Sequence, residues 1–494
     1  MKSSKKIVVC VLCCALLFLF SCSGNNTGNE NANNPANADI GGETGDNEGS
    51  AEDADATFDR NAVTDNLPEM DFNGYDFTIF TGNLPDYIEC LVAPEQNGEV
   101  INDAFYLANR TVEDRFNINI KVTEGEDHMA VAQARRIMLS GSDEFDVLFG
   151  HDYETGAASL EGFFVNLYSL KHLDFSKPWW PSHTIDSLTF NNKMYVYSNS
   201  MTTLGLDWTR LLYINKGMAQ DLGLEVPYKD VFDGTWTLDK LTKLTRDIYT
   251  DINSDGQKDR DDKYGYIFTG PYYCSIEPFG INVVKKSGDT LEFDFANERT
   301  QKVVDMMYDL MVNSQGTFYF RPEEHLSVSM FTQGNGFIIK KHLMDARKTL
   351  RASDINYGIL PFPKLDENQE NYYVGYHDRL FAVPAASENL DRTSVIVEAM
   401  SAEGWKKVFP AYYEISMKHK FLADDESIEI LDLIYSSRVL DFAYIYGIRY
   451  YMMLDALLGD TPNPSTDFSS YYEKNLGPAQ RILDNIMVKF AELD

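Results

Sequence analysis

Three short runs decide how this chain folds: Tyr75-Asp-Phe-Thr-Ile-Phe80, Ile118-Asn-Ile-Lys-Val122 and Phe145-Asp-Val-Leu-Phe149. Each is rich in β-branched and aromatic residues, and the third is apolar almost throughout, as a strand buried on both faces must be. Between the first two, Ile101, Phe105, Ala108, Val112 and Phe116 recur at helical spacing. Met129 to Leu139 supplies a second helical stretch between the second and third. Strand, helix, strand, helix, strand predicts a parallel sheet with right-handed crossovers. Such sheets bind ligands beyond the carboxyl ends of their strands. Thr81-Gly82-Asn83 and His151-Asp152-Tyr153 therefore fall at one edge.

Working outward, Leu206 to Asn215 reads as a strand, followed by a short helix from Lys216 to Leu222. A helix capped by Thr237, with Leu238, Leu241, Leu244 and Ile248 on its apolar face, leads into the acidic loop Asp251-Ile-Asn-Ser-Asp-Gly-Gln-Lys-Asp-Arg-Asp-Asp262. Asp251, Asn253, Asp255, Asp259 and Asp262 occupy loop positions 1, 3, 5, 9 and 12. Gly256 stands where the chain must turn, and Gln257 offers a backbone carbonyl. That is the oxygen cage a Ca²⁺ ion requires. Tyr264-Gly-Tyr-Ile-Phe268 follows as a strand rather than a helix, so the loop is not half of an EF-hand and a structural role is expected. The other reading is a solvated acidic loop.

Downstream, Thr300 to Val312 reads as a helix, and Gly336 to Ile339 and Leu380 to Val383 as strands. Asn389 to Asp494 is mostly helical. The expected fold class is α/β with two lobes, hinge crossings and a helical C-terminal region. Residues 71–205 mainly form lobe 1 and residues 206–340 lobe 2; residues 341–494 supply the return crossings and the helices.

The N-terminal 70 residues read differently. Lys2, Lys5 and Lys6 precede an apolar run from Ile7 to Phe20, too short to span a bilayer comfortably, which reads as a signal peptide over residues 1–21. Leu19-Phe20-Ser21-Cys22 resembles the bacterial lipoprotein signal, cut before a cysteine that becomes diacylated. Phe20 departs from the small residue usual there. Ser23 to Ala56 holds no aromatic residue, no Lys and no Arg, so residues 22–70 are expected to be a flexible acidic tether at an extracytoplasmic membrane face.

With 494 residues, 44% hydrophobic and 13% aromatic, the chain has material for a large core. Its formal charge of −33 repels phosphate backbones, so nucleic acid is excluded as a partner. Beyond the signal and Cys22, only Cys90 and Cys274 remain, either as a disulfide or as two buried thiols.

Further runs carry a resemblance: Phe175-Ser-Lys-Pro-Trp-Trp180, Asn192-Lys-Met-Tyr195, Leu212-Tyr-Ile-Asn-Lys216, Phe331-Thr-Gln-Gly334, Tyr357-Gly-Ile-Leu-Pro-Phe-Pro-Lys364 and Asn371-Tyr-Tyr373. With Asp262-Lys-Tyr-Gly265 after the acidic loop, the chain resembles the extracellular solute-binding lipoproteins of bacterial ABC importers, family 1, maltodextrin-binding-like. The resemblance implies two lobes closing on a solute, a membrane permease as partner, and no catalysis. A surface glycan-binding or adhesion lipoprotein without a transporter is the alternative.

Sugar sites combine stacking aromatics with polar acceptors. On that ground the candidate ligand-binding residues are Asn83, Asp152, Trp208, Tyr272, Tyr273, Tyr376 and His377, with a carbohydrate as solute and the chain acting as a monomer. Each aromatic alone reads equally as packing. Trp179 and Trp180, flanked by prolines, read as a wedge rather than as ligand contacts. No paired-carboxylate or nucleophile signature points to an enzyme.

Overall fold

The Tyr75–Gly82 strand lies inside a four-stranded sheet, paired in parallel with Ile118–Gly125 on one side and Val147–His151 on the other. A computed structural model describes this protein over residues 59–269, 276–320, 326–422, 424–448, 454–459 and 463–493. The helices Val100–Phe116 and Ala130–Leu139 form the two crossovers, and the stripe Ile101, Phe105, Ala108, Val112 and Phe116 is buried as its spacing requires. The fourth strand, Arg379–Ala382, comes from far along the chain and runs antiparallel to Val147–His151. Its first residue therefore lies at the edge where the parallel strands end.

The second sheet has the order Tyr357–Leu360, Arg210–Asn215, Gly336–His342, Lys263–Thr269. Tyr249–Thr250 and Thr317–Phe320 share the outer side of the last. Arg210–Asn215 is buried along its whole length and antiparallel to both neighbours. Arg210 therefore pairs with His342, so the start of one strand meets the end of the other.

Two chain segments pass between the sheets, one leading to Arg210 and one leading to Arg379. They lie side by side, with Thr209 and Tyr376 forming an antiparallel bridge. The helices after Asn389 cover the first sheet, where Leu390–Glu403 packs against Val100–Phe116. The last helix, Phe468–Glu492, brings Phe490 edge-on against Phe190 and Tyr195.

Several local readings shift. The strand expected from Leu206 starts at Arg210, because Leu204–Asp207 closes a helical turn. Around Asn192 to Tyr197 the chain makes isolated bridges, Phe190 with Lys193 and Tyr197 with Phe381. The helix expected over residues 300–312 runs Glu298–Tyr308 and widens into a π turn at Asp309–Asn313. The last helix, Phe468–Glu492, passes through Pro478. Residues 1–58, with Cys22, lie outside the described residues. No described helix is long and apolar enough to cross a membrane.

Trp179 and Trp180 are buried, and both indole Nε1–H groups donate to one carboxyl, Glu398, each at 2.9 Å. Burial pushes the Glu398 pKa up to about 7 against the pull of these bonds. A raised folded pKa means that the native state holds the proton more tightly than the unfolded chain. Stability from this group is full below the ordinary value of 4.5 and is lost as pH rises through about 7. Urea denaturation should show wild-type stability falling across that window. Glu398→Gln should flatten the slope, while losing one indole bond at about 1 kcal/mol.

Candidate binding cleft between the two sheets

Where the edges of the two sheets face each other, the protein forms a cleft open to solvent, with about 1010 Å³ of empty space counting its mouth. The first sheet contributes His151 and Asp152 at the end of a parallel strand and Arg379 at the start of the antiparallel one. Tyr87 and His128 stand in the connections after the other strands. The second sheet contributes Arg210 and the run Lys340, Lys341, His342. Trp208, His377 and Asp378 come from the crossings, and Tyr444 from the C-terminal helices. Both sheets and both crossings thus meet at one site, at the strand edge where α/β sheets place ligands.

A polar chain runs across it. Asp152, 2% exposed, lies 2.8 Å from His151 Nδ1 and 3.0 Å from His377 Nδ1, and accepts from the Tyr153 amide at 2.8 Å. His377 Nε2 meets the Arg210 guanidinium. Arginine can only donate, so Nε2 accepts and the Nδ1–H of His377 donates to Asp152. Burial alone would raise the Asp152 carboxyl. The histidine hydrogen bonds outweigh it and hold the group well below the usual carboxylate range.

Asp378 is buried too, but its partners are the Ser198 hydroxyl and the Arg379 amide. Burial dominates, and its pKa rises to about 7. Arg379 lies 3.9 Å over the Tyr87 ring and 3.2 Å from Asp127. Trp208 packs its ring 4.8 Å from that of His342, an imidazole that burial and nearby Lys341 and Arg210 keep well below its ordinary pKa and hence neutral.

Of the residues expected at the site, Asp152, Trp208 and His377 line this cleft. Asn83 is exposed beside it and accepts from the Asp127 amide at 3.1 Å, bracing the carboxylate that holds Arg379. Tyr376 lies behind the cleft, buried, with its hydroxyl 3.2 Å from Thr184 Oγ1 and Arg438 4.7 Å over its ring. Tyr272, Tyr273 and Cys274 lie outside the described residues. Cys90 is buried as a free thiol near Thr202. Sequence reasoning passed over Arg210, Lys340, Lys341 and Arg379. Their signal was available: each is a cation at the end of an otherwise apolar strand.

The acidic loop connects Tyr249–Thr250 to Lys263–Thr269 as the tip of an antiparallel pair. Asp262 is fully buried and accepts from Tyr249 at 3.0 Å, Tyr264 at 3.4 Å and the Ile252 amide at 3.2 Å. Asp251 Oδ2 accepts from the Gly256 amide at 2.9 Å, with Gly256 at φ 75°. Asp251 Oδ1 is buried with no hydrogen-bond partner, which suits a cation at this position. Among the described residues, no group of three or more His, Cys, Asp or Glu forms a metal cluster.

Solved structures share this architecture. The GacH receptor of Streptomyces glaucescens, studied unliganded and with acarbose, is 14% identical, with a TM-score of 0.52 over 85% of this chain and 100% of its own. UgpB of Mycobacterium tuberculosis, in complex with glycerophosphocholine, is 16% identical, with a TM-score of 0.53 over 84% and 99%. A sugar transporter of Rhizobium etli in an open conformation is 12% identical, with a TM-score of 0.54 over 85% and 100%. No protein-family profile and no curated protein matches the sequence. At these identities the likeness shows the fold, a two-lobed α/β architecture.

Asp152→Asn should destabilise the protein at pH 7 by about 2 kcal/mol, since it removes the carboxylate charge from the bond with His377 Nδ1, and a bond to a charged group is worth about 1.5–3 kcal/mol. A depressed folded pKa stabilises above the unfolded carboxylate value, and that stabilisation is lost as pH falls through the acid range. Urea midpoints at pH 7 and in mild acid should therefore differ less in the variant than in the wild type.

Proposed function

We propose that this protein captures a small extracellular solute, of carbohydrate type, and delivers it to an ABC permease from a lipid anchor on Cys22. The observation that carries the reading is the composition of the cleft wall. Arg210 and Lys341 belong to one sheet, Arg379 to the other, Asp152 follows the end of one of its strands, and His377 lies on a crossing. A solute held by all of them stabilises one mutual arrangement of the sheets, which is how hinged binding proteins report occupancy. Trp208 and Tyr87 provide the ring faces that sugars stack on. The tether would let the body work just outside the membrane, and two acyl chains would keep it there.

Calcium in the Asp251–Asp262 loop is the second part of the proposal. The ion would be held by Asp251, Asn253, Asp255, Asp259 and Asp262 with the Gln257 carbonyl, and would brace the hairpin of the second sheet. Asp262, shared by Tyr249 and Tyr264, links that loop to the sheet itself.

A thermal-shift screen of sugars, peptides and polyamines tests the first part. At least one sugar should raise the melting temperature, since binding to the native state adds about 2.7 kcal/mol at a hundredfold excess over Kd. The bound sugar should be recovered unchanged. A screen in which no small solute stabilises the protein, while a polymeric glycan retains it, would transfer the reading to glycan adhesion. EDTA should lower the melting temperature of the solute-free protein and added Ca²⁺ should restore it; an unchanged value removes the metal.

A further inference from the structure

We infer that Asp378 is a positioning residue for capture, which holds the two crossing segments together and couples closure of the cleft to uptake of a proton. This rests on the capture reading and deepens it. The carboxyl sits where the crossings meet. Ser198 stands where the segment leading to Arg210 leaves the first sheet, next to Tyr197, which bridges Phe381. Its hydroxyl donates to Asp378, on the segment leading to Arg379. The Thr209–Tyr376 bridge ties the same two segments through the backbone, and Asp378 ties them through a side chain. Gly205 makes room for it. A Cβ there would collide with the Asp378 carboxyl and stand 3.2 Å from the Tyr376 ring. Arg438, on a short strand paired with Val374–Gly375, donates to the Gly205 carbonyl at 3.2 Å and lies over the same ring.

Asp378 is 5% exposed, and it lines both the cleft and the smaller pocket behind it. A solute that closes the cleft therefore removes its remaining contact with water. Burial disfavours the charged form of a carboxyl, so the closed protein holds a proton on Asp378 more tightly than the open one. Linkage then makes capture take up a proton: it is strongest below the carboxyl's own pKa and weakens as pH rises through it. The surroundings place that point in the neutral range. Burial is the largest influence and raises the carboxyl to about 7, with Asp152 adding to the rise and the Ser198 hydroxyl, the Arg379 amide and Arg438 opposing it. On its own segment Asp378 is flanked by Tyr376, His377 and Arg379, and Tyr435 reaches the pocket behind from the Asp425–Ser436 helix. Tyr376, and Cys90 beyond Thr202, are pushed up by burial and stay neutral in this range.

Titration calorimetry of the mature protein with glucose, galactose, maltose and maltotriose, between about pH 6 and about pH 8 and in buffers of low and high ionisation enthalpy, tests the coupling. A sugar that binds should take up a fraction of a proton at neutral pH. Its Kd should rise about fivefold across that range, as a tenfold gain in the carboxyl's proton affinity on closure requires. Asp378→Asn keeps the shape of the neutral acid without its titration, so its profile should be flat and its proton uptake lost. Ser198→Ala keeps the carboxyl and removes a donor that favours its charge, so the midpoint should move to higher pH. Glu398→Gln removes a carboxyl that titrates in the same range away from the cleft, and should keep the wild-type profile. Small-angle scattering reads the same coupling without a sugar. The radius of gyration of the solute-free protein should grow as pH rises through 7 and stay constant in Asp378→Asn. The melting temperature of each variant confirms that it folds, and either the Asp378 or the Ser198 variant suffices. A variant that follows the wild-type pH dependence, in Kd or in radius, would overturn the role of Asp378 and leave capture intact. Failure of all four sugars to bind counts against carbohydrate capture, and scattering then decides on Asp378 by itself.

Discussion

The antiparallel bridge between Thr209 and Tyr376 is the constraint from which the rest of the site follows. It ties together the two segments that pass between the sheets. Because each segment feeds directly into a strand, the bridge sets Arg210, which opens one strand, beside His377 on the other crossing and Arg379, which opens the strand that follows it. The sheet registers complete the arrangement: Arg210 pairs with His342 and Arg379 with His151. Strand ends from two separate sheets are thus brought to one place by main-chain hydrogen bonds, which no side-chain substitution removes directly.

Three buried carboxyls show how local donors decide the outcome of burial. Asp152, Asp378 and Glu398 are all removed from water, and burial raises all three. Only Asp152 ends below its ordinary value, where the hydrogen bonding of histidine outweighs burial. Hydroxyl, amide and indole donors leave the other two near 7. Identical chemistry, similarly buried, therefore titrates in opposite directions according to the donors that surround it.

The first sheet was readable from sequence because its strands and helices are adjacent along the chain and their periods, two and 3.6, differ plainly. The antiparallel edge strand was readable as a strand but not as a member of that sheet, since its partner lies more than two hundred residues away. Asp152, Trp208 and His377 were reachable because strand-end logic points to them. Arg210, Lys340, Lys341 and Arg379 were not singled out, because a cation at a strand end reads equally as a solvated terminus until the facing sheet is known. Tyr376 was assigned to the cleft although its side chain turns the other way; adjacent residues on extended backbone point to opposite faces, and His377 took the cleft side.

The chain of contacts from Asp152 through His377 to Arg210 joins the first sheet to the second by way of a crossing segment. The atoms that would meet a solute are therefore the atoms that set the angle between the sheets. Recognition and articulation share one set of parts, with no intermediate transmission to tune. A sequence change that adjusts selectivity will also adjust the resting geometry, so in this architecture the two properties evolve together or not at all.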